Sequence, residues 1–395
     1  MSRPILDGLK VVDAASFIAG PTAGTAMADF GADVIKVESP ALDGYRRLRD
    51  TPGFPDAGFD YYWQLDNRSK RGIVMDLNTE VDRARLRSLL ATADVFITNH
   101  PLPVRRKLGL TWKDVQGLNA RLIYASLTAY GETGPEADSS GFDATTYWAR
   151  SGLMHVVRPD MAGPPALSVA GQGDHPTAMA LLSAILLAII ERMSTGRGRE
   201  VHTSLIANGL WSNAVLAQGA LTGAPPIDRR PRQTPWSAMV NYYPTRDERW
   251  FIISALEPER DWQRLLEVIA RPDLADDPRF RTIESRREHA TQLVAVLDPV
   301  FRQHDLSYWL PRFAAVKLAV GPVLSTNEAV HDAQARASGA IVQAAPEAQV
   351  AEVIDSPIWV SDSPKVPAGP APKPDGDGDA IRAALDGGAS PWRQG

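Results

Sequence analysis

The stretch GLKVVDAASFIAGPTAGTAMADFGADVIKVESP, residues 8–40, decides the fold of this chain. Its two short apolar runs, 10–14 and 33–38, have the length and the β-branched content of buried strands. The segment between them repeats apolar residues at helical spacing, as at Ala23 and Met27. The stretch therefore predicts a strand, a helix and a parallel strand at the start of the chain.

Segments typical of strands and of helices continue to alternate from residue 9 to about residue 206, which favours a mostly parallel sheet covered by helices on both faces. We therefore predict an α/β fold with a Rossmann-like large domain. The turn SFIAGP, residues 16–21, lacks the G-x-G-x-x-G of dinucleotide-binding folds, so an NAD-dependent oxidoreductase is the weakest functional alternative. The further predicted strands are 72–77, 94–98, 121–127 and 200–205, and a capped helix is predicted over 79–92.

A Pro-rich segment, 220–235, breaks this alternation, and two strand-like runs around a polar turn follow it over 237–256. This change predicts a second, smaller α+β domain. Repeated Pro, Gly and Asp residues from Pro364 onward predict a poorly ordered tail. The predicted divisions are the first part of the large domain, 1–206; a linker, 207–236; the small α+β domain, 237–320; and the return to the large domain with the C-terminal tail, 321–395.

The charge balance argues against polyanionic partners. The 395 residues include 42 Lys and Arg against 47 Asp and Glu, a net charge of −5. Neither sign is strongly segregated, so we expect no nucleic acid and no membrane among the partners. The longest apolar stretch, 178–190, falls short of the ~20 residues of a membrane span and is predicted to be a buried helix of a cytoplasmic protein.

Several catalytic classes lack sequence support. The absence of cysteine excludes disulfides, thiolate metal sites and a cysteine nucleophile. G-x-S-x-G, H-E-x-x-H and P-loop motifs are also missing from the sequence, which argues against a triad hydrolase, a zinc protease and an NTPase. We therefore expect carboxylates to carry the chemistry, without a metal.

An ordered set of motifs covers nearly the whole chain. The motifs are AGP (19–21) with GADVIKVESP (31–40), LDNRSKRGIVMDLNT (65–79), ADVFITNHPLPVRRKLGL (93–110), NARLIYASLTAYGETGP (119–135), GFDATTYWARSGLM (141–154), ERMSTGRGREVHTSLI (191–206) and VGPVLSTNEAVHD (320–332). In these segments and their order the chain resembles the family III CoA-transferases, the group that includes formyl-CoA transferase, the carnitine CoA-transferase and α-methylacyl-CoA racemase.

The resemblance implies an acyl-CoA transferase that moves CoA between an acyl-CoA thioester and a carboxylic acid through an aspartyl covalent intermediate. Family members fold as a large and a small domain and dimerise as two interlocked rings, so the resemblance also implies a homodimer. One alternative is an α-methylacyl-CoA racemase or epimerase that uses Asp143 and Glu257. Another is a non-catalytic protein that binds CoA thioesters.

Two aspartates compete for the nucleophile. A carboxylate can attack an acyl thioester, form a mixed anhydride and release the CoA thiolate. The resemblance places this role on Asp160 in VVRPDMAGPP, although two extra residues separate it from Gly163. Asp160 is otherwise a turn former, as is common for Asp near Gly-Pro.

Asp143 in GFD is the second candidate, as a general acid or base, or as a helix N-cap with a structural role. The racemases carry a histidine directly before this aspartate, whereas this chain has Phe142 there. The loss of that histidine weakens the racemase alternative.

Coenzyme A is the ligand that the resemblance implies, and several positions depart from the family. Relatives often carry Arg or Lys where this chain has Asn78 and Thr128. The positions assigned to CoA are Phe17, Ile18 and Ala19 near the thiol, and Asn78, Asn99, His100, Lys107, Leu108, Thr128 and Tyr130 along the rest of the molecule. Other cations are candidate phosphate contacts or ordinary surface charges: Lys36, Lys70, Arg71, Arg105 and Arg106. Three aromatic residues are candidates for an acyl pocket or for a domain core: Trp236, Tyr242 and Tyr243.

Overall fold

The computed structural model describes residues 3–393, so the outer limits 1 and 395 of the predicted large domain lie outside the described residues. The described residues divide into two compact units. The first unit contains the chain up to His155, the segment Leu167–Pro225 and the chain from Ala333 onward. The second unit contains Val156–Ala166 and Pro226–Asp332.

A six-stranded parallel sheet forms the centre of the first unit, in the order β3-β2-β1-β4-β5-β6. This is the strand order of Rossmann-type sheets, and the order reverses between β1 and β4. The predicted α/β, Rossmann-like fold is therefore confirmed. The strands are β1 (Lys10–Asp13), β2 (Asp33–Glu38), β3 (Arg71–Val74), β4 (Val95–Thr98), β5 (Ile123–Thr128) and β6 (Glu200–Ser204).

Helices cover both faces of this sheet because alternate residues of each strand point to opposite sides. On one face Val11 shares a core with residues of α1 and α7, and on the other Val12 shares a core with residues of α3. A 3₁₀ helix (Gly44–Asp50) and a π-helix (Asp143–Ala149) lie among these elements. The α-helices before residue 225 are α1 (Ala19–Asp29), α2 (Tyr61–Asn67), α3 (Glu80–Leu90), α4 (Leu102–Leu108), α5 (Trp112–Val115), α6 (Leu153–Val156), α7 (Asp174–Thr195), α8 (Leu205–Ser212) and α9 (Ala214–Leu221).

Helix α7 contains the longest apolar stretch of the chain. The helix has 22 residues and a mean hydropathy of 1.6 over its most apolar window. By length and composition alone it could cross a membrane. In the structure, Leu181 and Ile185 are buried in the core against the sheet, as predicted for this stretch. Leu187 and Ile190 on the opposite face are exposed. The helix is therefore a core helix on one side and an apolar surface on the other.

The second unit is built around a three-stranded antiparallel sheet in the order β7-β8-β9. Its core is aromatic, with Phe251 packing edge-to-face on Phe301. A 3₁₀ helix (Pro272–Ala275) follows the first of its helices. The elements are β7 (Val240–Pro244), β8 (Trp250–Ser254), β9 (Val320–Pro322), α10 (Pro258–Val268), α11 (Ile283–Glu288), α12 (Ala290–Phe301), α13 (Leu306–Ala315) and α14 (Thr326–Ala329).

Two of the predicted divisions differ from these units. The segment from residue 321 does not return to the large unit at once, because β9 pairs with β8 and keeps residues 320–332 in the small unit. The first half of the predicted linker 207–236 is helical, since most of α8 and all of α9 lie within it. Helix α8 is capped by the Ser204 hydroxyl, which accepts from the Ala207 N–H, and is anchored by the buried residues Leu205 and Gly209.

The returning chain adds β10 (Ile341–Gln343), β11 (Glu352–Ile354), α15 (Ala333–Ala337) and α16 (Gly378–Asp386) to the large unit. The prediction of a poorly ordered tail is wrong. Ile381 and Trp392 are buried against the sheet, and the Trp392 indole donates a hydrogen bond to the Thr92 hydroxyl at 2.8 Å. A few apolar anchors thus order a segment whose overall composition suggests disorder.

Candidate active site

The turn after β1 lies at the point where the strand order of the sheet reverses. Asn99, which follows β4, holds this turn: its Oδ1 accepts from the Ser16 N–H at 2.8 Å, and its Nδ2 donates to the Ser16 carbonyl at 2.7 Å. Open α/β sheets bind their ligands in the crevice at such a switch point. The turn is therefore the natural centre of a binding site.

Phe17 in this turn has a left-handed backbone, with φ of 61°. This conformation is strained for any residue other than glycine. Both carboxylate oxygens of Asp43 accept from the Phe17 N–H, at 3.0 and 3.1 Å. The Phe17 ring contacts Phe142 edge-to-face, with 5.4 Å between ring centroids. Asp43 thereby stabilises a backbone conformation that presents Phe17 to the site.

Two cavities meet at Ser16 and Phe17, which line both of them. We call the first, of about 340 Å³, the Asp143 cavity, because Asp143 lies in its wall. We call the second, of about 400 Å³, the Lys107 cavity. A ligand that passes the turn could therefore occupy both spaces at once.

Most residues that the sequence assigned to CoA line one of these cavities. Tyr130 lines neither, and its ring lies 5.3 Å from the Arg150 guanidinium. The Asp143 cavity contains Phe17, Ile18, Ala19, Asn99 and Thr128, together with Asp143. The Lys107 cavity contains Phe17, Asn78, His100, Lys107 and Leu108. Their roles in binding stay predictions, but the fold brings them together.

Asp143 is nearly buried and is the first residue of the π-helix, whose N-cap is Phe142. Asp143 is therefore not the N-cap. Its Oδ2 accepts instead from the Gly173 N–H at 3.3 Å, just before α7. A Cβ at position 173 would come within 2.5 Å of the Tyr147 ring, so only glycine permits this approach. The close approach places Asp174, the first residue of α7, beside Asp143.

Burial and the neighbouring charge of Asp143 raise the pKa of Asp174 from 3.8 to about 7. Both carboxyl groups line the Asp143 cavity. Two carboxylates that share a site repel each other, and one of them then holds a proton near neutral pH. The pair can therefore donate or accept a proton in the cavity, the property expected of a functional site.

Residue His175 faces a different partner. Its Nε2 lies 3.0 Å from Oδ1 of Asp66, which is fully buried and also accepts from the Thr22 and Tyr45 hydroxyls at 2.8 and 2.7 Å. Although burial alone would lower the pKa of His175, the Asp66 carboxylate raises it above the usual value. Asp66 thus orients the imidazole and stabilises its protonated form.

Two of the lysines considered for phosphate binding lie inside the protein. Lys70 is buried, and its Nζ donates to Oδ2 of Asp13 at 2.9 Å and to the Pro21 carbonyl at 2.7 Å. Lys36 is fully buried, lies 3.4 Å from Asp43 and donates to the Ala15 carbonyl. These lysines stabilise the turn and the strands beneath it.

The three arginines of that group also have internal partners. Arg71 pairs with Asp33 at 2.6 Å, and Arg106 pairs with Asp138 at 3.0 Å. Arg105 is buried and pairs with Glu132 at 2.8 Å. Lys107, by contrast, is exposed in the wall of its cavity and is free to approach an anion. Of the candidates, Lys107 therefore offers the best placed cation.

His100 lies in the same cavity as Lys107. Burial, reinforced by the charges of Lys36 and Arg105, lowers the pKa of this imidazole below its usual value. A neutral imidazole donates or accepts hydrogen bonds without adding a charge. His100 is therefore suited to a polar contact rather than to charge neutralisation.

Asp160 belongs to the second unit, in the segment Val156–Ala166. Its Oδ1 accepts from the N–H groups of Ala162 and Gly163, both at 2.8 Å. This is the geometry of an Asx turn, so Asp160 does act as a turn former. The two hydrogen bonds also orient the carboxylate.

The remaining candidates lie elsewhere on the second unit. Glu257 is exposed and forms an ion pair with Arg260. Tyr243 is fully buried in the aromatic core and donates to the Ala238 carbonyl at 2.7 Å, so it is not a pocket residue. Trp236 and Tyr242 are partly exposed. Within residues 3–393 no group of three or more His, Asp or Glu side chains is arranged to hold a metal ion.

Sequence analysis missed Asp43 and Asp174. Asp174 follows GQG at the start of an apolar helix, where an acidic residue is an ordinary feature of the first turn. Its raised pKa depends on Asp143, which is distant in the sequence. The signal that could have drawn attention to it is the pair of glycines before it, since close backbone approaches require glycine.

Comparison with known proteins identifies the family of this chain. The family model described as CoA-transferase family III matches residues 6–378. The chain is 32% identical over 384 residues to succinate–glutarate CoA-transferase of Agrobacterium fabrum, covering 94% of this chain and 93% of that protein. It is 29% identical over 336 residues to (R)-2-hydroxy-4-methylpentanoate CoA-transferase of Clostridioides difficile, covering 85% of this chain and 83% of that protein.

A solved structure of a CaiB/BaiF family protein from Brucella suis superposes with a TM-score of 0.86 at 32% identity, covering 98% of this chain and 100% of that chain. The family model and the named relatives both extend over most of the chain. The protein is therefore a CoA-transferase and belongs to CoA-transferase family III.

Proposed function

We propose that the protein moves CoA between an acyl-CoA thioester and a carboxylic acid through a covalent aspartyl intermediate on Asp160. The observation that supports binding of a CoA thioester is the pair of cavities that meet at Ser16 and Phe17, at the switch point of the sheet. Asp160 lines neither cavity, and its assignment as the nucleophile rests on the resemblance of its loop to that of the transferases. An elongated ligand with a nucleotide at one end and an acyl group at the other matches two connected spaces. The relatives are named for CoA transfer between acids, which supports the same reaction.

We assign the nucleotide portion of CoA to the Lys107 cavity and the acyl group to the Asp143 cavity. Lys107 supplies a cation for a phosphate, while Asn78 and His100 supply neutral hydrogen-bonding groups. The thioester then lies at the turn, beside Phe17. The left-handed turn, fixed by Asp43, keeps this crossing point open.

In the proposed reaction, Oδ2 of Asp160 attacks the thioester carbonyl, forms a mixed anhydride and breaks the carbon–sulfur bond. The CoA thiolate takes the electron pair of that bond. It then attacks the aspartyl carbonyl, forms an aspartyl-CoA thioester and releases the first acid as a carboxylate. The incoming carboxylate attacks this thioester, and the thiolate released in that step attacks the acyl carbonyl of the new anhydride. The products are a new acyl-CoA and the free Asp160 carboxylate.

The racemase is a second candidate, because Asp143 and Asp174 share a cavity and one of them holds a proton near neutral pH. A racemase must exchange the α-proton of its acyl group with solvent, whereas a transferase need not break that bond. We expect no deuterium at the α-carbon of a methylacyl-CoA incubated in heavy water. Incorporation that survives Asp160→Ala and disappears in Asp143→Ala would favour the racemase.

We propose that the protein acts as a homodimer of interlocked rings. The supporting observation is an apolar surface on α7, α8 and α9, where Leu187, Trp211 and Val215 are 68%, 81% and 86% exposed. Monomers rarely leave such a contiguous apolar surface in water. Sedimentation at micromolar concentration should give twice the chain mass, and a compact monomer would contradict the proposal.

A panel experiment tests the function itself. The protein is incubated with several acyl-CoA thioesters and several free acids in pairs, and new CoA esters are detected by mass spectrometry. We expect the wild-type protein to exchange CoA between at least one pair. The Asp160→Asn variant should not exchange CoA between that pair. Binding of acyl-CoA without exchange for any pair would favour the non-catalytic alternative.

A further inference from the structure

We infer that Asp66 is a positioning residue, which acts through His175 on the carboxyl group of Asp174 in the Asp143 cavity. Asp66 itself lines neither the Asp143 cavity nor the Lys107 cavity. The inference rests on the proposed function where it concerns transfer, because that function places the acyl group in the Asp143 cavity. It adds a residue outside both cavities to those on which the reaction depends.

Asp66 joins three elements, each of which contributes a residue to the wall of the Asp143 cavity. It lies on α2 and is fully buried. Its Oδ1 lies 2.8 Å from the Thr22 hydroxyl on α1 and 3.0 Å from Nε2 of His175 on α7. Its Oδ2 accepts from the hydroxyl of Tyr45, in the first 3₁₀ helix, at 2.7 Å. One buried carboxylate therefore ties together α1, α7 and this 3₁₀ helix.

His175 directly follows Asp174 in the first turn of α7, so a contact that orients the imidazole also constrains the carboxyl group beside it. The ring packs on Gly171, which has a left-handed φ of 86°, and a Cβ there would come within 2.9 Å of the imidazole. The His175 N–H donates to the Gly171 carbonyl at 3.0 Å. Contacts with Asp66 and Gly171 therefore fix the imidazole, although 42% of its side chain stays exposed.

The charge on His175 links Asp66 to Asp174. Burial alone would lower the pKa of His175, but the hydrogen bond to Asp66 and the charge of that carboxylate raise it. Burial and the charge of Asp143 raise the pKa of Asp174 to about 7, while the positive charge of His175 opposes this rise and the smaller influence of Asp66 adds to it. His175 therefore offsets part of the repulsion in the cavity, as long as Asp66 keeps it protonated.

The other charged side chains that approach Asp66 or His175 are each paired with another ionised group. A substitution at Asp66 therefore changes the charge at His175 and leaves these pairs intact. The pairs are Arg68 with Asp29 (2.7 Å), Arg68 with Asp355 (4.0 Å), Lys365 with Asp355 (2.6 Å) and Lys70 with Asp13 (2.9 Å).

Titration of His175 and Asp174 followed by NMR tests the inference without turnover. In Asp66→Asn the imidazole loses its anionic partner, so we expect the pKa of His175 to fall below 6.5. The neutral imidazole then no longer offsets the charge of Asp143, and the pKa of Asp174 should rise. His175→Gln assigns the imidazole signal among the seven histidines of the chain. Unchanged pKa values in Asp66→Asn would overturn the inference.

A double variant separates action through His175 from a direct effect of Asp66. In His175→Gln the cation is absent while Asp66 keeps its negative charge, so the pKa of Asp174 should exceed that in the wild type and in Asp66→Asn. Adding Asp66→Asn to His175→Gln removes this negative charge, and the pKa of Asp174 should then fall. Asp66→Asn thus raises this pKa when His175 is present and lowers it when His175 is absent. A change of the same sign in both backgrounds would contradict action through His175 and overturn the inference.

Transfer kinetics with a substrate pair found in the panel measure the consequence for the reaction. Asp66→Asn should lower kcat about 10–100-fold and change the KM for acyl-CoA by less than about 3-fold, because Asp66 lines neither cavity. Thr22→Val is the matched control, since it removes a hydrogen bond to the same carboxylate and leaves its charge in place. This variant should change kcat by less than about 3-fold.

The two measurements separate this inference from the proposed function. If the wild-type protein exchanges CoA and Asp66→Asn does so at the same rate, the positioning inference fails and the transferase proposal holds. If the wild-type protein exchanges CoA between no pair while the pKa of Asp174 reverses its response as expected, the proposed function fails and the action of Asp66 on Asp174 holds.

Discussion

The large unit buries carboxylates in two contrasting ways. Asp13 is fully buried, and although burial would raise its pKa, Lys36 and Lys70 lower it below the usual value. Asp143 and Asp174 share a cavity wall whose described residues include no cation, and the pKa of Asp174 rises to about 7. A buried carboxylate that is compensated by lysines, such as Asp13, stabilises the fold. An uncompensated carboxylate, such as Asp174, can bind and release a proton near neutral pH. The comparison separates structural acids from functional ones within a single fold.

The largest effect should come from Asp160, the carboxylate that we propose as the nucleophile. Asp160→Asn keeps the shape of the side chain and removes its nucleophilic oxygen, so kcat for transfer should fall at least on the order of 1,000-fold. Steady-state kinetics with a pair found in the panel measures this, with Asp143→Asn assayed in parallel. A variant at Asp160 that transfers CoA normally, together with a dead variant at Asp143, would move the nucleophile into the Asp143 cavity.

Lys70→Met would break the compensated group. It leaves Asp13 buried with only Lys36 nearby, so the free energy of unfolding should fall by about 3–5 kcal/mol. Urea denaturation followed by circular dichroism measures the change. Arg106→Met removes an exposed pair with Asp138 and is the control, with an expected loss of less than about 1 kcal/mol. Similar losses in the two variants would remove the basis of the comparison.

Gly173→Ala would disturb the uncompensated pair. The new Cβ would contact the Tyr147 ring, so Asp174 should move away from Asp143, with a loss of stability of about 1–3 kcal/mol. The pKa of Asp174, measured by NMR from the chemical shift of its carboxyl group, should then be lower than in the wild type. Gly117→Ala, which meets no atom within 4 Å, is the control and should change neither property.

The smallest predicted effect is a difference in pH dependence. Because the pKa of Asp174 is raised in the folded protein, its contribution to stability is complete below about pH 4 and is lost as the pH rises through about 7. Asp13, whose pKa is lowered, contributes above its unfolded pKa and loses that contribution in acid. Unfolding of Asp174→Asn across pH 4–8 should therefore show a more positive slope with pH than the wild type. An unchanged slope would contradict the raised pKa.

Local features of the sequence were sufficient to predict the sheet. The β1–α1–β2 unit follows from two apolar runs and one helical repeat, and these signals lie within a few residues of one another. The order of the tail was not predictable in this way, because Ile381 and Trp392 gain their stability from strands and helices far away in the sequence.

In the candidate site, too, some features could be predicted from the sequence and others depend on contacts between distant segments. The turn at Phe17 and the residues around it are predicted by resemblance, and the structure places most of them along two cavities. Asp43 and Asp174 escaped prediction, since the role of each depends on one contact between distant segments. The assignment of Asp160 stays a prediction.

Mapping the acylated residue tests that assignment most directly. The protein is incubated with an acyl-CoA identified by the panel, treated with hydroxylamine and digested, and the modified side chain is located by fragmentation of the peptides in a mass spectrometer. The proposed mechanism predicts a hydroxamate on Asp160 that forms only in the presence of the acyl-CoA. A hydroxamate on Asp143 or Asp174, with Asp160 unmodified, would contradict it.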